Sequence, residues 1–121
     1  MKVLGIRFCS VSEESEAMAN FLGASGLGLP ARDMGESDGF SGAVFPAGSD
    51  SWMEFWPVMD GFDPMIMVQI VVDDADAFAA HARENGLDPK GPTDAHGERI
   101  YMLNGPGGLQ MSFQSKRAES A

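Results

Sequence analysis

Val11–Leu27 reads VSEESEAMANFLGASGL, and Val71–Leu87 reads VVDDADAFAAHARENGL. The two stretches lie 60 residues apart. Each opens on the tail of a β-like run and turns at an acidic pair, Glu13-Glu14 in one and Asp73-Asp74 in the other. Each then carries an apolar helical stripe and stops at Gly-Leu, with Gly26-Leu27 over Gly86-Leu87. Similarity at a fixed shift is the mark of one supersecondary unit used twice. Such a pair is expected to bury hydrophobic faces between its copies and to leave a cleft at the join.

Working outward, Val3–Val11 alternates Ile6-Phe8-Ser10 against Arg7-Cys9-Val11 and is expected to be a strand. Ser12 is the expected N-cap of a helix whose stripe is Met18, Phe21 and Leu22, with Glu13, Glu14 and Glu16 at the positive end of its dipole. Gly23 or Gly26 stops it. Leu29–Asp33 is expected to be a short strand, Asp33–Gly42 a loop, and Gly42–Pro46 and Ser51–Val58 two strands around a turn at residues 47–50. Pro57–Pro64, with two prolines, Gly61 and two aspartates, reads as the linker. Met65–Val72 opens the second copy, and Asp74 caps a helix with Phe78 and Ala82 on its stripe, ending at Gly86. Lys90–Pro92 is poorly marked. Glu98–Leu103 and Leu109–Gln114 flank the turn at residues 104–108. The expected organisation is a single domain over residues 1–121: module one about 1–58, linker 57–64, module two about 65–115, and a frayed tail 116–121.

Apolar content of 44% is that of a globular chain, and 121 residues suffice for one modest core. A net charge of −10 would be repelled by phosphates and argues against nucleic acid as a partner. The plain reading of that charge is a solvated acidic surface; a cationic ligand is the other. Cys9 is the only cysteine, so no internal disulfide forms and a reducing cytoplasm is expected. Lys2 precedes an apolar run that Arg7 interrupts, which is no signal peptide, and no stretch reaches the roughly 20 apolar residues of a membrane span.

Strand, helix, then about three strands, twice over, with Gly-Leu helix ends and the run from His96 to Gly108 (HGERIYMLNGPGG), resembles the vicinal-oxygen-chelate superfamily of glyoxalases, bleomycin-resistance proteins and extradiol dioxygenases. The resemblance spans nearly the whole chain. It implies an α+β fold in which two βαβββ modules form a curved mixed sheet around a cavity, usually completed by a homodimer.

The resemblance also implies where a metal would sit, and the residues there do not suit one. The positions fall at or near Ile6, Met67, Glu54 and Ser112. Only Glu54 is a ligand type; an alkyl group, a thioether and a hydroxyl do not replace imidazole and carboxylate. No metal and no other cofactor are therefore expected. His81, on the second helix, and His96, in a loop, are expected to be ordinary surface histidines. Strand alternation puts Trp52 and Trp56 beside Glu54, Gln69 beside Met67, and Gln110 and Gln114 beside Ser112, with Ile6, Phe8 and Met102 completing the wall. Tryptophan area, adaptable methionine and orienting amides suit a small-molecule cup; the plain alternative is that the tryptophans are core or interface residues. Three functions follow. One is non-catalytic binding of a small, partly aromatic or cationic molecule. The second is a metal-free lyase or isomerase with Glu54 as general base. The third is a metalloenzyme that recruits a histidine to Glu54.

Overall fold

A computed structural model describes residues 1–35, 39–61 and 63–117. Parts of the expected loop (36–38), linker (62) and tail (118–121) lie outside the described residues. In chain order the elements are β1 (Val3–Val11), α1 (Ser15–Leu22), β2 (Ala43–Ala47), β3 (Ser51–Trp56), β4 (Met65–Val72), α2 (Ala75–Glu84), β5 (Lys90–Ala95), β6 (Glu98–Asn104) and β7 (Gln110–Lys116). The strands form a seven-stranded mixed sheet, and the fold class is α+β. The contacts divide the chain into two compact units, Arg7–Met67 and a second made of Met1–Ile6 with the chain from Val68 onward.

In the Arg7–Met67 unit, β3 is the middle strand. It pairs antiparallel with β2 and parallel with β1, in the register Arg7↔Trp52, Cys9↔Glu54, Val11↔Trp56. One face of this sheet packs under α1, where Leu22, Phe45 and Phe55 are buried with Phe8, Ala19 and Met53 against them. Phe55 meets Phe8 at 5.9 Å and Phe45 at 6.1 Å between ring centroids, tilted or edge-on as the ring quadrupoles prefer.

The helix begins later than the sequence suggests. The Ser12 amide donates to Trp56 O at 3.1 Å, which keeps Ser12 in the sheet, and its hydroxyl accepts from the Glu14 amide in a tight turn. Ser15 is the first helical residue, and no side chain caps it. Of the expected stripe only Leu22 enters the core. Met18 and Phe21 stay exposed and line a groove of about 420 Å³ with Phe8, Phe55 and Ile66. The expected strand at Leu29–Asp33 is not one. The Arg32 amide donates to Val44 O at 2.8 Å, but Pro30, whose amide would point the same way, has no hydrogen to give. Among the described residues, α1 is therefore followed by two strands, β2 and β3, before β4 opens.

The second unit follows the expected order of strand, helix and three strands, with β7 beside β4 and β6 between β7 and β5. Val72, Ala75, Ala79, Tyr101 and Phe113 are buried beneath α2, with Tyr101 and Phe113 stacked at 5.4 Å. Asp74 caps α2 as expected, accepting from the Ala77 amide at 3.1 Å. Tyr101 Oη donates to Asp76 Oδ1 at 2.5 Å; that hydrogen bond, followed by Arg99, holds the Asp76 carboxyl below its ordinary value. Lys90–Ala95, poorly marked because of its Gly-Pro pair, forms β5 at the sheet edge, where a proline is tolerated. Lys116 ends β7, and Arg117 donates to Gly97 O at 2.9 Å, so order extends past the start of the expected tail.

His96 is exposed, as is His81. Ala95 pairs with Glu98, which leaves His96 and Gly97 as a two-residue hairpin loop with φ of 53° and 74°. Positive φ at both positions is the hairpin geometry matched to strand twist, and a β-branched residue resists it. His96→Val is expected to lower stability in urea unfolding by about 1–2 kcal/mol, while His96→Asn changes it by less than about 0.5 kcal/mol.

Candidate functional site

The face of β3 turned away from α1 carries Trp52, Glu54 and Trp56, because side chains two residues apart share a face. Trp56 Nε1 donates to Glu54 Oε1 at 2.9 Å, and Trp52 Nε1 donates to Glu54 Oε2. One carboxylate thus holds both tryptophans of the chain by their N–H groups. Cys9 stands opposite Glu54 in the β1–β3 register. Burial first, then the Glu54 charge and hydrogen bonding toward its carboxylate, push the Cys9 thiol up to about 12. On the Trp56 side, Gly42 sits at φ +130°, where an added methyl group would fall 2.2 Å from the indole Cε3; only glycine lets the chain approach so closely.

Two guanidiniums meet Trp52. Arg7, buried, lies with Cζ 3.6 Å from the ring centroid and donates Nε to Asp50 O at 3.1 Å. Arg32, exposed, lies at 4.8 Å. They approach from opposite sides of β3: Arg7 on β1, and Arg32 on the segment tied to β2 through Val44. The sequence reading missed Arg7, Cys9 and Arg32 as site residues. The available signal was that Arg7 and Arg32 are the only basic residues between positions 7 and 67.

The remaining residues expected in the wall are distributed differently. Ile6 and Phe8 fall on the opposite face of β1 from Arg7 and Cys9; Phe8 packs on Phe55 beneath α1, and Ile6 is exposed. The face opposite Glu54 on β1 was thus misassigned, because the expected position at Ile6 fixed the alternation one residue out. Met67 is buried and Gln69 half-buried on β4. In the second unit Ser112 is buried, pairs with exposed Met102 across β6–β7, and donates its hydroxyl to Gln114 Oε1 at 2.8 Å; Gln114 Nε2 donates to Glu98 Oε1 at 3.1 Å. Gln110 is exposed at the start of β7.

No family model and no curated protein matches the sequence. Solved structures do match in fold. A glyoxalase/bleomycin resistance protein/dioxygenase superfamily member from Vibrio splendidus 12B01 aligns at a TM-score of 0.60 and 9% identity, over 95% of this chain and 100% of that one. The fold is that of the glyoxalase/bleomycin resistance/dioxygenase superfamily. Methylmalonyl-CoA epimerase from Mycobacterium tuberculosis aligns at 0.58 and 14% identity, over 96% and 88%. A catechol 2,3-dioxygenase aligns at 0.62 and 15% identity, over 96% of this chain but 42% of that one.

Metal use in this fold would need several donors at one point. Among the described residues no three His, Cys, Asp or Glu side chains converge. Glu54 already accepts from two indoles, and Cys9 opposite it stays protonated. These residues do not fit a divalent ion.

Glu54→Gln replaces one acceptor oxygen by an NH₂ that faces an N–H or S–H donor. It is expected to lower stability by about 1–3 kcal/mol in urea unfolding, the cost of a buried donor left unmet. Native Cys9 should react with iodoacetamide at pH 8 at least about a hundredfold more slowly than free cysteine, because the thiolate is the nucleophile; unfolding in urea should remove the difference.

Proposed function

We propose that the chain binds a small aromatic molecule at the Trp52–Glu54–Trp56 face, without a metal and without turnover, and that it works as a homodimer in the cytoplasm. The observation that carries this reading is the double indole N–H clamp on Glu54. Each oxygen of the carboxylate accepts from one of the protein's own indole N–H groups. That arrangement fixes two large aromatic side chains before any ligand arrives, which lowers the entropy cost of binding. It is a poor arrangement for a general base, whose lone pair must meet the substrate proton. The alternative, a metal-free lyase or isomerase with Glu54 as base, lacks a partner acid: the neighbouring Cys9 holds its proton to about 12.

The dimer is supported by Met18, Phe21 and Ile66, each at least 41% exposed around the apolar groove beside α1. The free, buried Cys9 suits a reducing compartment, and among the described residues no helix is long and apolar enough to cross a membrane.

The two indole N–H resonances report on this face alone, since the chain has no other tryptophan. Titration with small aromatic compounds should shift both; no shift with any of them at millimolar concentration counts against the binding role. Turnover of any substrate that falls about a hundredfold or more in Glu54→Gln would move the assignment to the enzyme reading. Light scattering at micromolar concentration should give twice the 12.9 kDa chain mass, and Phe21→Glu should give the mass of one chain.

A further inference from the structure

Residues 7–67 hold ten acidic side chains and two basic ones. Those two, Arg7 and Arg32, both bring their guanidinium to Trp52. The acid on the same face, Glu54, is half-buried, and both its oxygens accept from indole N–H groups. Arg7 is buried and Arg32 exposed, so an incoming ligand meets the Arg32 guanidinium, a positive group on a chain of net charge −10.

Arg32 is placed to receive an anion. It is exposed, and its backbone is held by the hydrogen bond to Val44 O at 2.8 Å. Its guanidinium carbon lies over the Trp52 ring, 4.8 Å from the centroid. The neighbouring Asp33 carboxylate turns to the Gly35 amide at 2.8 Å. A guanidinium stacked by its face on an indole keeps its in-plane edge, where the N–H fork matches the two oxygens of a carboxylate. The far field of the acidic chain repels an anion, but it is screened beyond about 8 Å at physiological ionic strength, so within contact distance the nearest charges decide.

We infer that this face takes an organic anion, a small aromatic carboxylate, with the Arg32 fork on the carboxylate and the indole pair against the ring. The inference rests on the binding role proposed above and names its ligand class; the cation allowed by the sequence is the opposite choice.

Three probes of one shape and different charge test it: phenylacetate, 2-phenylethanol and 2-phenylethylammonium, each titrated at millimolar concentration while the two indole N–H resonances are followed. Phenylacetate should bind at least about tenfold more tightly than the other two, the scale of a charged hydrogen bond. Arg32→Gln, at an exposed position, should abolish that preference, and Arg32→Lys should restore only part of it, because charge returns without the planar fork. The remaining amide resonances of each variant check that the fold is intact. Equal or tighter binding of the alcohol or the ammonium ion, or a phenylacetate affinity indifferent to Arg32→Gln, overturns the charge inference and leaves the binding role standing. No response to any of the three probes overturns the charge inference; silence across the wider aromatic panel as well removes the binding role with it.

Discussion

The parallel pairing of β1 with β3 is the constraint on which the site depends. It sets Cys9 opposite Glu54 and Arg7 opposite Trp52, so the thiol, the carboxylate, the indoles and the guanidinium share one face. A slip of one residue would turn every side chain of β1 to the other face. What prevents the slip lies on the far side of the sheet. Phe8 packs on Phe55, and Phe55 on Phe45, beneath α1. Exposing that cluster would cost several kcal/mol at about 25 cal/mol per Å². The hydrophobic face fixes the register, and the register assembles the polar face.

The polar face resolves a problem that the fold creates. A half-buried carboxylate between aromatic side chains loses hydration and must recover it from protein donors. Glu54 recovers it from the indoles themselves, which are then held in place. The corresponding strand of the second unit carries a neutral pair instead, with a carboxylate at the end of the chain of hydrogen bonds: Ser112 donates to Gln114 two residues on, and Gln114 to Glu98. In each unit a polar side chain at the middle of the strand is satisfied by a neighbour on its own face, and in neither are donors left gathered for a metal among the described residues. Proteins of similar fold bear names as different as epimerase and dioxygenase. The scaffold does not choose the chemistry, and the side chains on the faces do.

Much of the fold was legible in the sequence, for a physical reason. Alternation and helical periodicity are local, so β1 and β4 have the bounds read for them, Asp74 caps α2, and the repeated stretches both become a helix whose first residue, Ser15 or Ala75, is fully buried. The misreadings arose where distant backbone intervened. Ser12 looks like a cap, but its amide is taken by Trp56 across the sheet. Leu29–Asp33 looks like a strand, but it shares one hydrogen bond with β2 because Pro30 cannot supply the next. Phe21 looks like core, but the groove beside α1 leaves it 57% exposed.

The candidate site divides in the same way. Trp52, Glu54 and Trp56 could be placed together from sequence, because residues two apart on a strand share a face whatever the rest of the chain does. That Ile6, Met67 and Ser112 are not metal-ligand types is a matter of residue identity and needs no structure. Tertiary structure alone decided that Glu54 accepts from both indoles, that Cys9 lies against it, and that Arg7 and Arg32 reach Trp52 from opposite sides of β3. The contacts of Cys9, Arg7 and Arg32 join residues 20 to 45 positions apart. They follow from strand register, which packing on the opposite face sets and which no local pattern encodes.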